Sequence, residues 1–166
     1  MVNSPSADEP LSELFPRAMA RVCTPVAVVT TFDDSPHGTT VSAFASLSLT
    51  PPMVLVALDR QSELLARLTG TRQFGLNVLS SAQSELALRF ARKGSDMFSG
   101  FKWYEESGCP RFEGAAVWLG CRVVDLVEGG DHRVALAEVL RVHVVETEPL
   151  TYHARAFGTH APVEAS

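Results

Sequence analysis

Gly38-Thr39-Thr40-Val41-Ser42-Ala43-Phe44-Ala45-Ser46-Leu47-Ser48-Leu49-Thr50-Pro51-Pro52 carries six hydroxyl side chains in its first thirteen positions and stops at a double proline. The chain then turns apolar and strand-like over Met53 to Leu58. Serine and threonine at this density weaken both helix and sheet, because their hydroxyls compete for backbone hydrogen bonds. Composition alone makes the run an ordinary Ser/Thr-rich loop. Its concentration of neutral donors and acceptors also suits a polar, non-ionic ligand.

Upstream, Leu11, Leu14, Phe15, Ala18, Met19 and Val22 recur at helical spacing and predict a helix over about 12–21. Pro16 is tolerable only in its first turn. Val26 to Thr31 is short, β-branched and closed by Asp33-Asp34-Ser35-Pro36, which reads as strand then turn. Downstream, Ser62 caps a short helix with Leu64, Leu65 and Leu68 on one side and Gly70 beyond its end. Phe74 to Leu79 reads as a strand. Ser80 or Ser81, with Gln83, offers the N-cap of a helix that shares a face between Leu86 and Phe90 and ends near Lys93-Gly94. Ala116 to Val127 and Val134 to Val145 flank Gly129-Gly130 as a long hairpin. Five or six strands without regular helical crossovers suit a mainly β fold, a closed antiparallel barrel with a few peripheral helices.

At 166 residues and 17.9 kDa the chain suits one domain over 11–160, with polar tails at 1–10 and 161–166. A net charge of −5 argues against a nucleic-acid or anionic-membrane surface. No apolar run is long enough to span a bilayer, and Met1 to Pro10 lacks a signal-like apolar core. Cys23, Cys109 and Cys121 form no CxxC pair, so no metal site is expected, and they suit a reducing cytoplasm. Cys121 is expected to be buried.

The motifs for a Rossmann dinucleotide site, a phosphate loop, a zinc hydrolase and a serine hydrolase are all missing. Three features are left. The first is the hydroxyl-rich run. The second is Asn77-Val78-Leu79-Ser80-Ser81, whose serines are ordinary helix caps or anion donors, with Arg89, Arg92 or Lys93 as balancing charge. The third is Gly129-Gly130-Asp131-His132, a hairpin turn whose histidine can hydrogen-bond an amide or phosphate.

From about Leu14 to Phe157 these features resemble the short-chain flavin reductases, the FMN-binding split-barrel partners of two-component flavin monooxygenases. The resemblance is carried by Ala18-Met19-Ala20-Arg21-Val22, His37-Gly38, Ser46-Leu47-Ser48-Leu49-Thr50-Pro51, Asn77-Val78-Leu79-Ser80, Phe90-Ala91-Arg92-Lys93 and Gly130-Asp131-His132, in the family's order. It implies that Thr40, Val41, Ser42, Ala43, Phe44, Ser46, Leu47 and Ser48 line the isoalloxazine and ribityl chain. Asn77, Leu79, Ser80, Phe90, Ala91 and Lys93 would flank the phosphate end. His132 would contact the nicotinamide, and Arg155, Phe157 and Gly158 would complete that site, although Phe157-Gly158 stands where some relatives have an aromatic and a histidine.

The resemblance further implies an NADH-dependent reductase of FAD or FMN that passes hydride directly between stacked rings and releases reduced flavin to a monooxygenase. His132 would then orient and bind, with proton supply to the reduced flavin as a secondary role. A homodimer with the flavin near the subunit interface is implied as well. Two other readings stand beside this one. A flavin-bound oxidase of the pyridoxamine-phosphate-oxidase type would need a clamp of several basic residues. A non-catalytic flavin-binding protein would have no use for a nicotinamide site. Sequence does not choose FAD or FMN. A reader of the NADPH 2′-phosphate would be an arginine, with Arg60, Arg133 and Arg155 available.

Overall fold

The computed structural model describes residues 9–94 and 96–163, so the tails expected at 1–10 and 161–166 lie largely outside the described residues. The described chain runs α1 (Leu11–Met19), β1 (Thr24–Pro25), β2 (Ala27–Phe32), β3 (Pro36–Val41), β4 (Phe44–Leu49), β5 (Pro52–Asp59), α2 (Glu63–Thr71) and β6 (Gln73–Val78). It continues through a 3₁₀ turn (Ser81–Gln83), α3 (Ser84–Phe90), β7 (Trp103–Glu106), β8 (Cys109–Phe112), β9 (Val117–Gly129), β10 (His132–Val144), β11 (Thr151–His153) and β12 (Ala156–Gly158).

Seven strands form one antiparallel sheet in the order β3-β2-β6-β9-β10-β5-β4. Its concave face encloses a core of Val29, Val56, Leu58, Phe74, Leu76 and Val123, sealed by Leu64, Leu65 and Leu68 of α2. β2 is buried on both faces, which explains why its residues show no alternation of apolar and exposed polar side chains. Ala27 and Val29 point into this core, while Val28 joins a second one with Leu86, Ala87 and Phe90 of α3, Phe112 and Leu150. In that second core Phe90 meets Phe98 at 4.9 Å and Phe112 at 5.2 Å, both edge to face.

The expected closure is corrected at one place. β3 and β4 are the two ends of the sheet order and share no ladder, so the barrel is split between them. The chain crosses this split at Ser42-Ala43, the only break in regular structure between Pro36 and Leu49. The hydroxyl-rich run is therefore two strands and a bend, not a loop. Edge strands leave the hydroxyls room to find local partners: Thr40 Oγ1 donates to the Ala87 carbonyl at 2.7 Å, and Ser48 Oγ accepts from Thr50 N at 3.3 Å.

Other boundaries follow local chemistry. Ser62 caps α2, its hydroxyl accepting from Leu65 N at 3.1 Å. The helix runs through Gly70 and ends at Arg72, which adopts φ 54°. Ser80 and Gln83 make a reciprocal capping box, and α3 stops at Phe90, short of the expected Lys93-Gly94. Pro16 lies beyond the first turn of α1. It is accommodated because the helix is solvent-facing, so the Ser12 carbonyl it leaves without an N–H is open to water. The β7–β8 and β11–β12 hairpins carry no strong alternation and were not expected from the sequence.

Burial raises the Cys109 and Cys121 thiols to about 12, which makes them inert apolar filling at neutral pH. Among the described residues, no helix is long and apolar enough to cross a membrane, and no cluster of His, Cys, Asp and Glu could hold a metal ion.

Candidate functional site

Because side chains alternate along a strand, a ligand wall seldom uses consecutive residues. Here Thr39, Thr40, Val41 and Ser42 line one cavity in succession, and the same four residues with Ala43 line a second. His37, Gly38 and Thr39 line a third. The groove thus follows the free edge of β3 and turns the corner at the split.

Three compartments adjoin along this edge. The first, about 310 Å³, is walled by Val26, Ala87, Leu88, Ala91, Tyr152 and Phe157. It is apolar, and Tyr152 and Phe157 meet across the β11–β12 hairpin with ring centroids 5.3 Å apart. The second, about 230 Å³, sets the Thr39–Ala43 bend against Asp59, Ser62 and His132. His132 reaches it because its Cα pairs with Asp59 across β10 and β5. Its Nδ1 lies 2.7 Å from Asp131 Oδ1, and this bond holds the Asp131 carboxyl below its ordinary value. The third, about 200 Å³, has Gln61, Ser62 and Glu63 on one side and exposed Arg92 and Lys93 on the other. An aromatic-walled slot, a bend facing an imidazole, and a rim bearing two cations suit a planar heterocycle carrying a phosphate chain.

Of the residues singled out in the sequence, Thr40, Val41, Ser42, Ala43, Ala91, Lys93, His132 and Phe157 line these three adjoining compartments. Other anticipated residues are placed elsewhere. Phe44 packs against the barrel core, while Leu79 and Phe90 belong to the second core. Asn77 is fully buried, and its side-chain groups are occupied. Its Nδ2 lies 3.2 Å from the Val28 carbonyl and 3.3 Å from the Pro110 carbonyl, and its Oδ1 accepts from Phe112 N at 2.8 Å. Ser80 N donates to Gln83 Oε1, so the expected anion donor serves its own cap. Ser46, Leu47 and Ser48 lie on edge strand β4, and Arg155 and Gly158 on the C-terminal hairpin, all outside the three compartments. Arg89 is stacked over Phe101 at 5.4 Å.

Sequence analysis missed Thr39, Ser62 and Tyr152. Tyr152 was recoverable only through its cross-strand pairing with Phe157.

His37 sits at the far end of the groove, its Nδ1 3.9 Å from Glu63 Oε1. Desolvation by burial lowers its pKa below the usual 6.5, against the opposing pull of Glu63. The folded state therefore binds fewer protons than the unfolded one as pH falls through 6.5. Stability falls in that window, above the range where Glu63 and Asp33, both held below their ordinary values, begin to titrate. Unfolding by denaturant should show this decline from pH 7 to 5.5, and His37→Asn should flatten it.

The flavin reductase like domain family model matches residues 19–161. The reductase component of 4-nitrophenol 4-monooxygenase/4-nitrocatechol 2-monooxygenase from Rhodococcus opacus is 40% identical over 138 residues, 82% of this chain and 75% of that protein. The NADH-dependent FAD reductase of Streptomyces globisporus is 39% identical over 123 residues, 70% of this chain and 68% of that one. A solved structure of the Streptomyces globisporus NADH:FAD oxidoreductase, in complex with NAD and FAD fragments, matches with a TM-score of 0.90 at 32% identity. It covers 97% of this chain and 100% of that one.

Proposed function

The chain belongs to the flavin reductase like domain family, and from that premise we propose that it is an NADH-dependent flavin reductase. Free FAD or FMN and NADH are its substrates, and reduced flavin passes to a flavin-dependent monooxygenase. The observation that carries this reading is His132 facing the Thr39–Ala43 bend across one compartment. Bound together, nicotinamide and flavin supply the hydride chemistry, and the protein contributes position and electrostatics. The bend and the Tyr152–Phe157 wall hold a flat ring between hydrogen-bonding and apolar surfaces. Arg92 and Lys93 attract the phosphate end, and His132 orients the nicotinamide amide. Arg60 pairs with Glu128, and Arg133 Nε lies 3.0 Å from the same carboxylate without hydrogen-bond alignment. Both arginines thus share the single Glu128 carboxylate, so the pair keeps one net positive charge and does not choose between NADH and NADPH.

An oxidase of the pyridoxamine-phosphate type would need a broader basic clamp than Arg92 and Lys93 provide, and a carrier would not need His132. A homodimer is supported by apolar surface left exposed at Leu11, Phe15 and Met19 on α1 and at Val142 and Val144 on β10. The free thiols suit a reducing cytoplasm.

The test is oxidation of NADH by the purified protein under air, with and without added FAD or FMN. Flavin-dependent turnover is expected; no turnover with either flavin would overturn the proposal. His132→Ala should raise the KM for NADH roughly fivefold, the equivalent of one lost hydrogen bond, with the flavin KM unchanged. An unaltered KM for NADH would remove His132 from the nicotinamide site.

A further inference from the structure

His132 does not face the Thr39–Ala43 bend alone. Asp59 lines the same compartment and is the one acidic side chain among its lining residues. The Cα atoms of Asp59 and His132 pair across β5 and β10. Residues so paired turn their side chains to the same face, with Cβ atoms about 5 Å apart. Carboxylate and imidazole therefore stand side by side on one wall.

Local bonding fixes this carboxylate and still leaves part of it free. Asp59 Oδ1 accepts from Gln61 N at 2.7 Å, and the Asp59 carbonyl accepts from Ser62 N at 3.0 Å, so the turn into α2 holds the residue in place. Among the described residues, Oδ2 has no hydrogen-bond or ion-pair partner. The cations of the neighbourhood are directed elsewhere. Arg60 and Arg133 lie against Glu128, and Arg92 and Lys93 line the adjoining compartment. Apart from the imidazole, no basic side chain lines the space that Asp59 faces.

Hydride transfer creates charge in such a space. The C4–H bond of the dihydronicotinamide breaks with both its electrons, and the N–H bond at flavin N5 forms. NADH is oxidised, the flavin is reduced, and no proton is exchanged in the step. The nicotinamide ring thereby passes from neutral to cationic, while the flavin takes up the negative charge. A carboxylate beside the nicotinamide gains attraction as the reaction proceeds, which lowers the barrier instead of merely tightening binding. A ring lying over Asp59 also displaces water, and the attraction strengthens as the local dielectric falls.

Resting on the reductase reading, we propose that Asp59 is a catalytic residue that stabilises the positive charge developing on the nicotinamide ring. Asp59→Asn isolates this role, because the amide keeps an Oδ1 acceptor for Gln61 N and loses the charge.

The experiment measures equilibrium Kd values for NADH by its fluorescence and for NAD+ by displacement of NADH. Anaerobic single-turnover reduction of the flavin is followed beside them. Asp59→Asn should weaken NAD+ about tenfold and slow flavin reduction about tenfold, with the Kd values for NADH and flavin unchanged. An equal loss for NADH and NAD+ would make Asp59 a residue that only shapes the compartment, and would overturn the proposal. So would an unchanged Kd for NAD+, or an unchanged rate of flavin reduction. Failure of the reductase reading shows separately, as absence of NADH oxidation by the unmodified protein with either flavin.

Discussion

Ser42→Trp is expected to lower kcat/KM for flavin roughly a hundredfold while leaving the protein folded. Ser42 sits at the bend between β3 and β4, is exposed, and borders both the apolar slot and the His132 compartment. An indole there occupies space common to the two. Any ring that still enters is displaced from the imidazole opposite, and misplacement of about 1 Å is enough for a loss of this size. Stability should hardly move, because a substitution at an exposed bend typically changes it by less than about 0.5 kcal/mol. Steady-state kinetics with varied flavin, beside a thermal melt, separates the two effects. Wild-type kinetics in a folded Ser42→Trp protein would show that the ligand does not cross the bend.

Asn77→Leu should do the reverse. The asparagine ties the Val28 carbonyl on β2, the Pro110 carbonyl on β8 and the Phe112 amide into one buried network, joined by Thr30, whose Oγ1 donates to the Pro110 carbonyl at 2.6 Å. Leucine has the same branched outline, but it is bulkier and can neither donate nor accept. Each buried backbone group left without a partner costs about 1–3 kcal/mol, and the Phe112 amide loses its partner outright. Adjacent Gly75 leaves no space for adjustment, since a Cβ there would lie 2.7 Å from Trp118 Nε1 and 2.8 Å from Thr30 Oγ1. We expect a loss of about 3 kcal/mol in denaturant unfolding, with little change in flavin Kd for the fraction that remains folded. A stable variant with weakened flavin binding would return Asn77 to the site.

The contrast between these two residues shows what the sequence made legible. The elements written in local chemistry were readable: the β-branched run of β2, the Ser62 cap and leucine face of α2, the Ser80–Gln83 capping box and the long β9–β10 hairpin. The hydroxyl-rich run was singled out by its composition, but the bend at Ser42-Ala43 within it has no local signal apart from small side chains. Side-chain direction was less accessible. Asn77 stands between apolar neighbours on a strand, and whether its amide meets a ligand or a neighbouring strand depends on β8, more than thirty residues away. The same limit applies to Phe44 and Phe90, which became packing. Tyr152 became part of the groove because of a three-stranded sheet, β1-β11-β12, that leaves almost no local signature. Closure was over-read because strand count does not reveal that the two end strands remain unpaired.

That unpaired edge has a consequence beyond catalysis. β3 pairs with β2 alone, so its other side is a row of main-chain groups of the kind that recruits a stray strand from another molecule. The groove runs along this row, and α3 shields only part of it, through Thr40 and Ala87. A flavin bound there, as proposed, would take the place of a missing neighbour strand. On the proposed reading, substrate binding and resistance to edge-to-edge association would share one surface, and bound flavin would protect the barrel from aggregation.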